Sequence, residues 1–594
     1  MKKFILRSDG TDPRRNQFME KDFLIDHIIR GMSSEEKAAQ LIMPAFRQYT
    51  DGEEIRHDVE HVYPEMKDLL SSYSFAGIML FAMNLKTAEK AHDLMREIKD
   101  VQDPDKPGLL LALDQEGGVV SRIGTGTPMP GNMALGAGGD CGLTRHAASV
   151  IGSEIAAIGA NMDAAPVVDI NDNPQNPVIG VRSFSDDPDT VSKHGKAYLE
   201  GLAESHIIGT LKHYPGHGNT ETDSHTGLPC VNKTLEDLKR TELRPYADLI
   251  PAGVEMIMTA HIQFPQVEKG TYLSKKTGEP ICLPATVSKV FLTDILRQQL
   301  GYEGVVITDS MGMDAISSHF DPLDAAKLAI EAGVDILLMP VDTAQKNGIG
   351  KLKEYIHTIA KAIDEGFILQ QCVDRALARI LTLKAGHGLF PGQRHHEKTA
   401  ALASVGSKEH RELEWQIASD CVTLVKGREA LPLDPNRKTL IMTPFSSEIN
   451  AARLGLFRAG VKMEQVLFWS ADTDSPEELF EKMKEAEQLI IVSATYKLAS
   501  LNADDPYYRA AQEAMAWALK NDVKTVFVSA QLPYDIPSYS DADVQLAVYC
   551  AKGMSEDPRF ADNGVMQYNV NLPVAFFKIF TKGEKYKGSL PVRI

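Results

Sequence analysis

Residues 209–229 read Gly209-Thr-Leu-Lys212-His213-Tyr-Pro-Gly-His217-Gly-Asn-Thr-Glu-Thr-Asp223-Ser-His225-Thr-Gly-Leu-Pro229. A short apolar run ends in Lys212 and His213. A loop broken by Pro215 and Gly216 follows and closes on Asp223 and His225, two residues apart. Lys212 and His213 can hold hydroxyl groups. Asp223 and His225 can form a carboxylate–imidazole pair, in which the acid fixes the ring tautomer and raises its basicity.

An apolar run capped by polar chemistry recurs along the first two-thirds of the chain. Runs at 76–81, 109–113, 166–169, 209–213, 255–261, 304–309 and 335–340 read as strands. Helix-like stretches at 87–99, 234–250, 288–300 and 322–332 lie between them. Strands separated by amphipathic helices predict parallel βαβ units. With one looser strand, irregular at the start, they predict an α/β fold: a (β/α)8 TIM-like barrel over residues 1–390. Asp114, Asp169, Lys212 with His213, His261 and Asp309 follow the apolar runs. A parallel barrel gathers its strand C-termini on one face, where its enzymes place their chemistry. Strand ends are also polar simply because they reach water, so the coincidence of five such ends is what carries weight.

Residues 391–410, rich in Gly, Pro and His, read as a linker. Apolar runs restart at 439–442, 465–468, 489–492, 525–528 and 544–548, with helical stretches at 476–486 and 507–519. Residues 411–594 therefore predict a C-terminal α/β sandwich domain with an open, mostly parallel sheet.

The 594 residues carry a net charge of −18, with 43% hydrophobic and 24% charged residues. That balance describes an ordinary globular protein. The negative sign argues against nucleic-acid and anionic-membrane partners, which want a basic surface. Six cysteines with no CxxC pair predict thiols in a reducing compartment. The N-terminal apolar run stops after three residues, too short for a secretion signal. No stretch reaches membrane-spanning length, and a cytoplasmic location is expected.

His213 and His217 have the spacing of helical metal ligands. Pro215 and Gly216 between them oppose a helix, and no Glu follows His213, so no metal is expected. Asp309 closes Gly304-Val-Val-Ile-Thr-Asp309-Ser-Met-Gly-Met. An Asp after a strand is commonly a helix N-cap. Leu113-Asp114-Gln-Glu116-Gly-Gly-Val-Val-Ser-Arg122 and Asn176-Pro-Val-Ile-Gly-Val-Arg182-Ser-Phe add two arginines, for which surface ion pairing is the plain alternative. Gly117-Gly118 do not make a dinucleotide site, because no G-x-G-x-x-G follows a strand there.

Together these motifs resemble the bacterial two-domain β-N-acetylglucosaminidases of glycoside hydrolase family 3. The resemblance is dense over residues 30–340 and thin over 410–594. It implies Asp309 as nucleophile, His225 as acid/base and Asp223 as the residue that orients His225. It also implies Asp114, Arg122, Arg182, Lys212 and His213 as substrate-binding residues, and a structural role for Glu116. The implied activity is retaining exo-hydrolysis of terminal β-linked GlcNAc without a cofactor. The implied substrates are small GlcNAc-containing carbohydrates such as GlcNAc–MurNAc fragments of peptidoglycan. Two other readings stay open: a β-N-acetylglucosaminide phosphorylase, since an imidazole repels phosphate less than a carboxylate does, and a non-catalytic sugar-binding barrel.

Overall fold

The computed structural model describes residues 23–224, 227–390, 402–496, 498, 501–550 and 569–594. Its first sheet consists of parallel strands β1 (Ile42–Met43), β2 (Gly77–Leu80), β3 (Leu110–Leu113), β4 (Met162–Asp163), β5 (Ile208–Tyr214), β6 (Met256–Thr259), β7 (Val305–Ile307) and β8 (Leu337–Leu338). Strands β2 to β7 pair consecutively, and β8 pairs with β1. Parallel bridges Ala45–Met79 and Ile307–Ile336 join these two parts into a ring. All eight strands are buried, as a barrel wrapped in helices requires.

The weakly legible strand is β1. It is two residues long because Pro44 follows, and proline has no N–H to donate to a ladder. The expected strand at 166–169 is displaced for the same reason. The ladder forms at Met162–Asp163, and beyond Pro166 only the bridge Val167–Lys212 remains. The expected helix at 234–250 is two helices, Leu235–Arg240 and Arg244–Leu249. Pro245 cannot continue a helix through Thr241, the residue four positions before it. In contrast, the helix Pro322–Ala332 has the expected bounds: the Asp321 side chain accepts from Leu323 N at 3.0 Å, and Gly333 (φ 124°) ends it.

On the outside of β3 to β5, helices Cys141–Ala157 and Pro188–Ala203 lie against each other. Gly201 permits the approach, since a Cβ there would stand 2.4 Å from the Arg145 carbonyl oxygen.

The second sheet holds β9 (Thr423–Lys426), β10 (Thr439–Thr443), β11 (Val466–Ser470), β12 (Gln488–Ser493), β13 (Lys524–Ser529) and β14 (Val544–Ala547). Their spatial order is β9-β14-β13-β12-β10-β11, and only the β9–β14 pairing is antiparallel. Alternate residues feed two cores. Ile441, Ile490, Val526 and Val528 pack with helices Lys408–Cys421, Ser446–Arg458 and Asn571–Phe580, while Leu440, Leu489, Ile491 and Phe527 share the core that extends into the barrel. This is the period-2 division of a sheet covered on both faces.

Of the segment read as a linker, 391–401 lie outside the described residues. The part that is described is fastened to the barrel. Glu154, fully buried, accepts from Gly406 N (3.0 Å) and contacts His410 Nδ1 (2.8 Å), and the helix Lys408–Cys421 begins within the segment. The second domain also grips the loops above the barrel: Asn171 Nδ2 donates to Tyr534 Oη (3.0 Å), and Asn571 Nδ2 to Pro130 O (3.0 Å). No helix among the described residues is long and apolar enough to cross a membrane.

Candidate active site

The strand C-termini of the barrel open into a cavity of about 480 Å³. Asp114 and Glu116 follow β3, Lys212 and His213 lie in β5, and Asp309 follows β7. Arg122 and Ser224 reach the same space from loops, and Arg182 from the short 3-10 helix Gly180–Arg182. Of the residues expected to bind substrate, Asp114, Arg122, Arg182, Lys212 and His213 all line it.

Four of these groups form a chain of alternating charge, buried at Lys212 and Glu116 and half-buried at its ends. Lys212 Nζ stands 2.8 Å from Asp114 Oδ1 and 2.6 Å from Glu116 Oε1. Arg182 forks onto Glu116, with Nε–Oε2 at 2.8 Å and a terminal nitrogen at 2.7 Å from Oε1. Arg122 approaches the second Asp114 oxygen at 3.6 Å. Burial works against the charges on Glu116 and Lys212, yet the partners win: Arg182 and Lys212 hold Glu116 well below the carboxylate range, and Asp114 and Glu116 keep Lys212 charged. The bidentate fork fixes the Arg182 plane. Glu116 is thus the anchor that aims two cations, as a structural role requires, and neither arginine is a surface ion pair. Gly117 (φ 85°) and Gly118 (φ 59°) turn the chain behind it.

Glu116→Gln should therefore be costly. It would leave two buried cations facing Asp114 alone. Breaking a buried pair from one side costs about 3–5 kcal/mol. The expected result is a lower unfolding temperature together with a raised KM, read by calorimetry and by steady-state kinetics. A variant with parental Tm and KM would show that the chain of charges is dispensable.

A second network rests on Asp169, in the segment after β4, a carboxylate to which the sequence pattern assigns no role. Its Oδ2 meets His213 Nδ1 at 2.7 Å, and its Oδ1 accepts from the backbone N of His213 (3.2 Å) and of His217 (2.6 Å). Despite full burial, the His213 ring and these bonds hold it below its ordinary range. His213 and His217 meet edge to face, with ring centroids 5.9 Å apart. Burial first, and then the neighbouring His213, push His217 down to about 4, so its ring is neutral at pH 7. One nitrogen faces Thr220 Oγ1 (2.9 Å) and the other Ser224 Oγ (3.1 Å). His217 is thus a clasp that folds the loop back over the cavity, a role its sequence spacing did not reveal.

His225 lies outside the described residues. Ser224 lines the cavity, and Ser224 O accepts from Ala315 N (3.3 Å), in the short helix Asp314–Ser317 just after Asp309. Asp309 is not an N-cap of that helix, whose N-cap is Met313. Instead its Oδ1 accepts from Ser310 N at 2.7 Å, and it lines the cavity. Among the described residues no group of three His, Cys, Asp or Glu side chains is arranged to hold a metal ion.

Beneath the charged chain sits Asp163, wholly buried. It accepts from Gln115 N at 2.9 Å through Oδ1, while Oδ2 has no hydrogen-bond partner. Burial pushes this carboxyl up to about 8. The folded state thus binds a proton that the unfolded chain releases near pH 4, so stability from this group falls as pH rises from about 4 to 8. Asp163→Asn keeps the acceptor and removes the titration. Its Tm relative to the parent should become more favourable as pH rises from 5 to 8. A Tm difference that does not change with pH would mean Asp163 is ionised in the fold.

The open end of the barrel thus sets the Asp309 carboxylate and a chain of paired charges around one cavity. Residues 33–383 match the model of the glycosyl hydrolase family 3 N terminal domain. Beta-hexosaminidase A of Pseudoalteromonas piscicida is 31% identical over 596 residues, covering 95% of this chain and 97% of the relative. A beta-N-acetylglucosaminidase/beta-glucosidase of Cellulomonas fimi is 31% identical over 61% of this chain and 63% of its own length. The structure of a glycoside hydrolase family 3 beta-N-acetylglucosaminidase from Paenibacillus sp. str. FPU-7 superposes with a TM-score of 0.77 at 29% identity, covering 95% and 99% of the two chains. A beta-glucoside phosphorylase, at 22% identity and a TM-score of 0.75, shares the fold.

The chain belongs to glycosyl hydrolase family 3. Within that family, its similarity to a β-hexosaminidase runs over 95% of the chain.

Proposed function

We propose that the protein is a retaining exo-β-N-acetylglucosaminidase acting on GlcNAc-terminated saccharides, among them GlcNAc–MurNAc fragments. The observation that carries this reading is that Asp309 and Ser224, the neighbour of Asp223, line one cavity together with the Asp114–Lys212–Glu116–Arg182 chain. The relatives named β-hexosaminidase and β-N-acetylglucosaminidase support the choice of sugar.

In the first step a carboxylate oxygen of Asp309 bonds to the anomeric carbon as the glycosidic C–O bond breaks. His225, oriented by Asp223, gives its proton to the departing oxygen. In the second step the same imidazole takes a proton from water, whose oxygen bonds to the anomeric carbon and displaces Asp309. Two inversions give retention. Asp114, Lys212, Arg122, Arg182 and His213 hold the sugar hydroxyls, so that binding energy positions the reacting carbon.

The test is hydrolysis of aryl β-GlcNAc beside aryl β-glucoside, with the first-formed sugar followed by proton NMR in phosphate buffer. Faster release of GlcNAc as the β-anomer is expected. The α-anomer first, or preference for the glucoside, would overturn the proposal, and GlcNAc-1-phosphate as main product would assign a phosphorylase.

A further inference from the structure

The parallel strands of the second domain run in the order β11-β10-β12-β13-β14. The chain passes from β10 outward to β11, then crosses back to β12 on the other side. In open sheets of this kind, the carboxyl ends of the strands flanking that reversal form a crevice where ligands bind. In this protein the reversal lies between β10 and β12, and a cavity of about 260 Å³ occupies that place. It takes no part in the proposed hydrolysis.

Its lining is aromatic: Phe445 follows β10, Tyr496 follows β12, and Tyr507, Tyr508 and Tyr539 complete the walls. Three of these rings are fixed. The Tyr507 hydroxyl donates to Val492 O at the end of β12 and lies 3.3 Å from Met442 O in β10, and its ring stacks on Trp469. Tyr539 stacks on Phe527 with centroids 4.0 Å apart, and Tyr508 meets Tyr539 edge to face. By contrast, Phe445 and Tyr496 are 45% and 52% exposed, at the mouth. Large apolar rings held half in water cost hydrophobic free energy unless something covers them.

The charges select the ligand. Two helix N-termini point at this crevice, the usual seat of phosphate in doubly wound sheets. Both are already filled by carboxylates. Asp505 accepts from Tyr508 N (2.8 Å) at the start of Pro506–Lys520, and Asp472 accepts from Ser446 N (2.9 Å) at the start of Ser446–Arg458. Among the described residues no lysine or arginine lines the cavity. Among the described lining residues an anion would meet the Asp505 carboxylate and no cation. A neutral ring with an apolar face and hydroxyl edges fits the aromatic walls and the Thr495 hydroxyl.

We propose that this crevice is a second, non-catalytic saccharide site that takes one neutral pyranose stacked on Tyr496 and Phe445. The site rests on the geometry of the second domain. Its assignment to N-acetylhexosamine rests on the function proposed above.

The test uses the full-length protein labelled with 3-fluorotyrosine, the Tyr496 fluorine resonance being assigned by its loss in Tyr496→Phe. N-acetylglucosamine, which is not turned over, is titrated in, and AMP and inorganic phosphate are run as anionic controls. A saturable shift of the Tyr496 resonance by the sugar alone is expected, with a Kd of roughly millimolar order, about −4 kcal/mol. Phe445→Ala should weaken it by about tenfold, while kcat/KM on an aryl glycoside stays within twofold of the parent. No saturable shift, an equal shift with AMP, or an unchanged titration in Phe445→Ala would overturn the site. Failure of the hydrolase reading would appear instead in the glycosidase assay, with the Tyr496 titration intact for whichever neutral pyranose binds.

Discussion

Asp309→Ala should retain about one part in 10³ to 10⁵ of the parental kcat/KM, the loss expected when a covalent nucleophile is deleted from a unit that works as one. At 1.36 kcal/mol per factor of ten, this is about 4–7 kcal/mol of transition-state stabilisation. Neither of the other two carboxylates in the charged chain can replace it, because Asp114 is committed to Lys212 and Glu116 to Arg182. A 2-deoxy-2-fluoro or 5-fluoro glycosyl reagent with a good leaving group should label the peptide containing Asp309 and leave the alanine variant unlabelled. Activity within tenfold of the parent, in a variant with parental Tm, would remove Asp309 from the reaction.

Much of this site was legible because a parallel barrel converts chain order into spatial convergence. Once strands were read at 109–113, 209–213 and 304–309, the residues at their ends had to meet on one face. That is why Asp114, Lys212, His213 and Asp309 could be named without contacts. The strands themselves were legible because full burial makes them continuous apolar runs bounded by helical periodicity. Proline moved the boundaries, at Pro44, Pro166 and Pro245, by removing donors that hydrophobic pattern alone takes for granted.

What stayed hidden were partners rather than positions. Asp169 was visible as a polar residue closing an apolar run, but its bond to His213 joins the segment after β4 to β5, a pairing that no local spacing encodes. The role of His217 depends on Thr220 and Ser224 folding back onto it. Glu116 and Arg182 are 66 positions apart in sequence and 2.7 Å apart in space. In the second domain β9 was missed, because an antiparallel edge strand of four residues has too little pattern to separate from loop. The switch-point crevice was beyond reach for a different reason: it follows from the order in which strands pair, and the sequence displays only the order in which they occur.

His225→Ala should distinguish between substrates rather than abolish activity uniformly. kcat/KM reports the steps up to the first irreversible one, here cleavage of the glycosidic bond. A natural disaccharide leaves as an alkoxide unless protonated, so loss of the acid should cost about 10² to 10⁴ in kcat/KM. A dinitrophenolate leaves without help, and kcat/KM for that glycoside should fall by less than about tenfold. The second step still needs the imidazole as a base, so kcat for the dinitrophenyl glycoside should drop and glycosyl-enzyme should accumulate as a burst. The pH dependence supplies an independent sign. An acid must be protonated, so on the proposed mechanism the parent's rate on disaccharides should decline as pH rises through the imidazole range. A base must be unprotonated, so its kcat on the dinitrophenyl substrate should decline as pH falls through the same range. Asp223→Asn should move both limbs to lower pH, and His225→Ala should erase them. Equal losses in kcat/KM on both substrates, with both limbs intact in His225→Ala, would make His225 a binding residue and return the proton to one of the cavity's carboxylates.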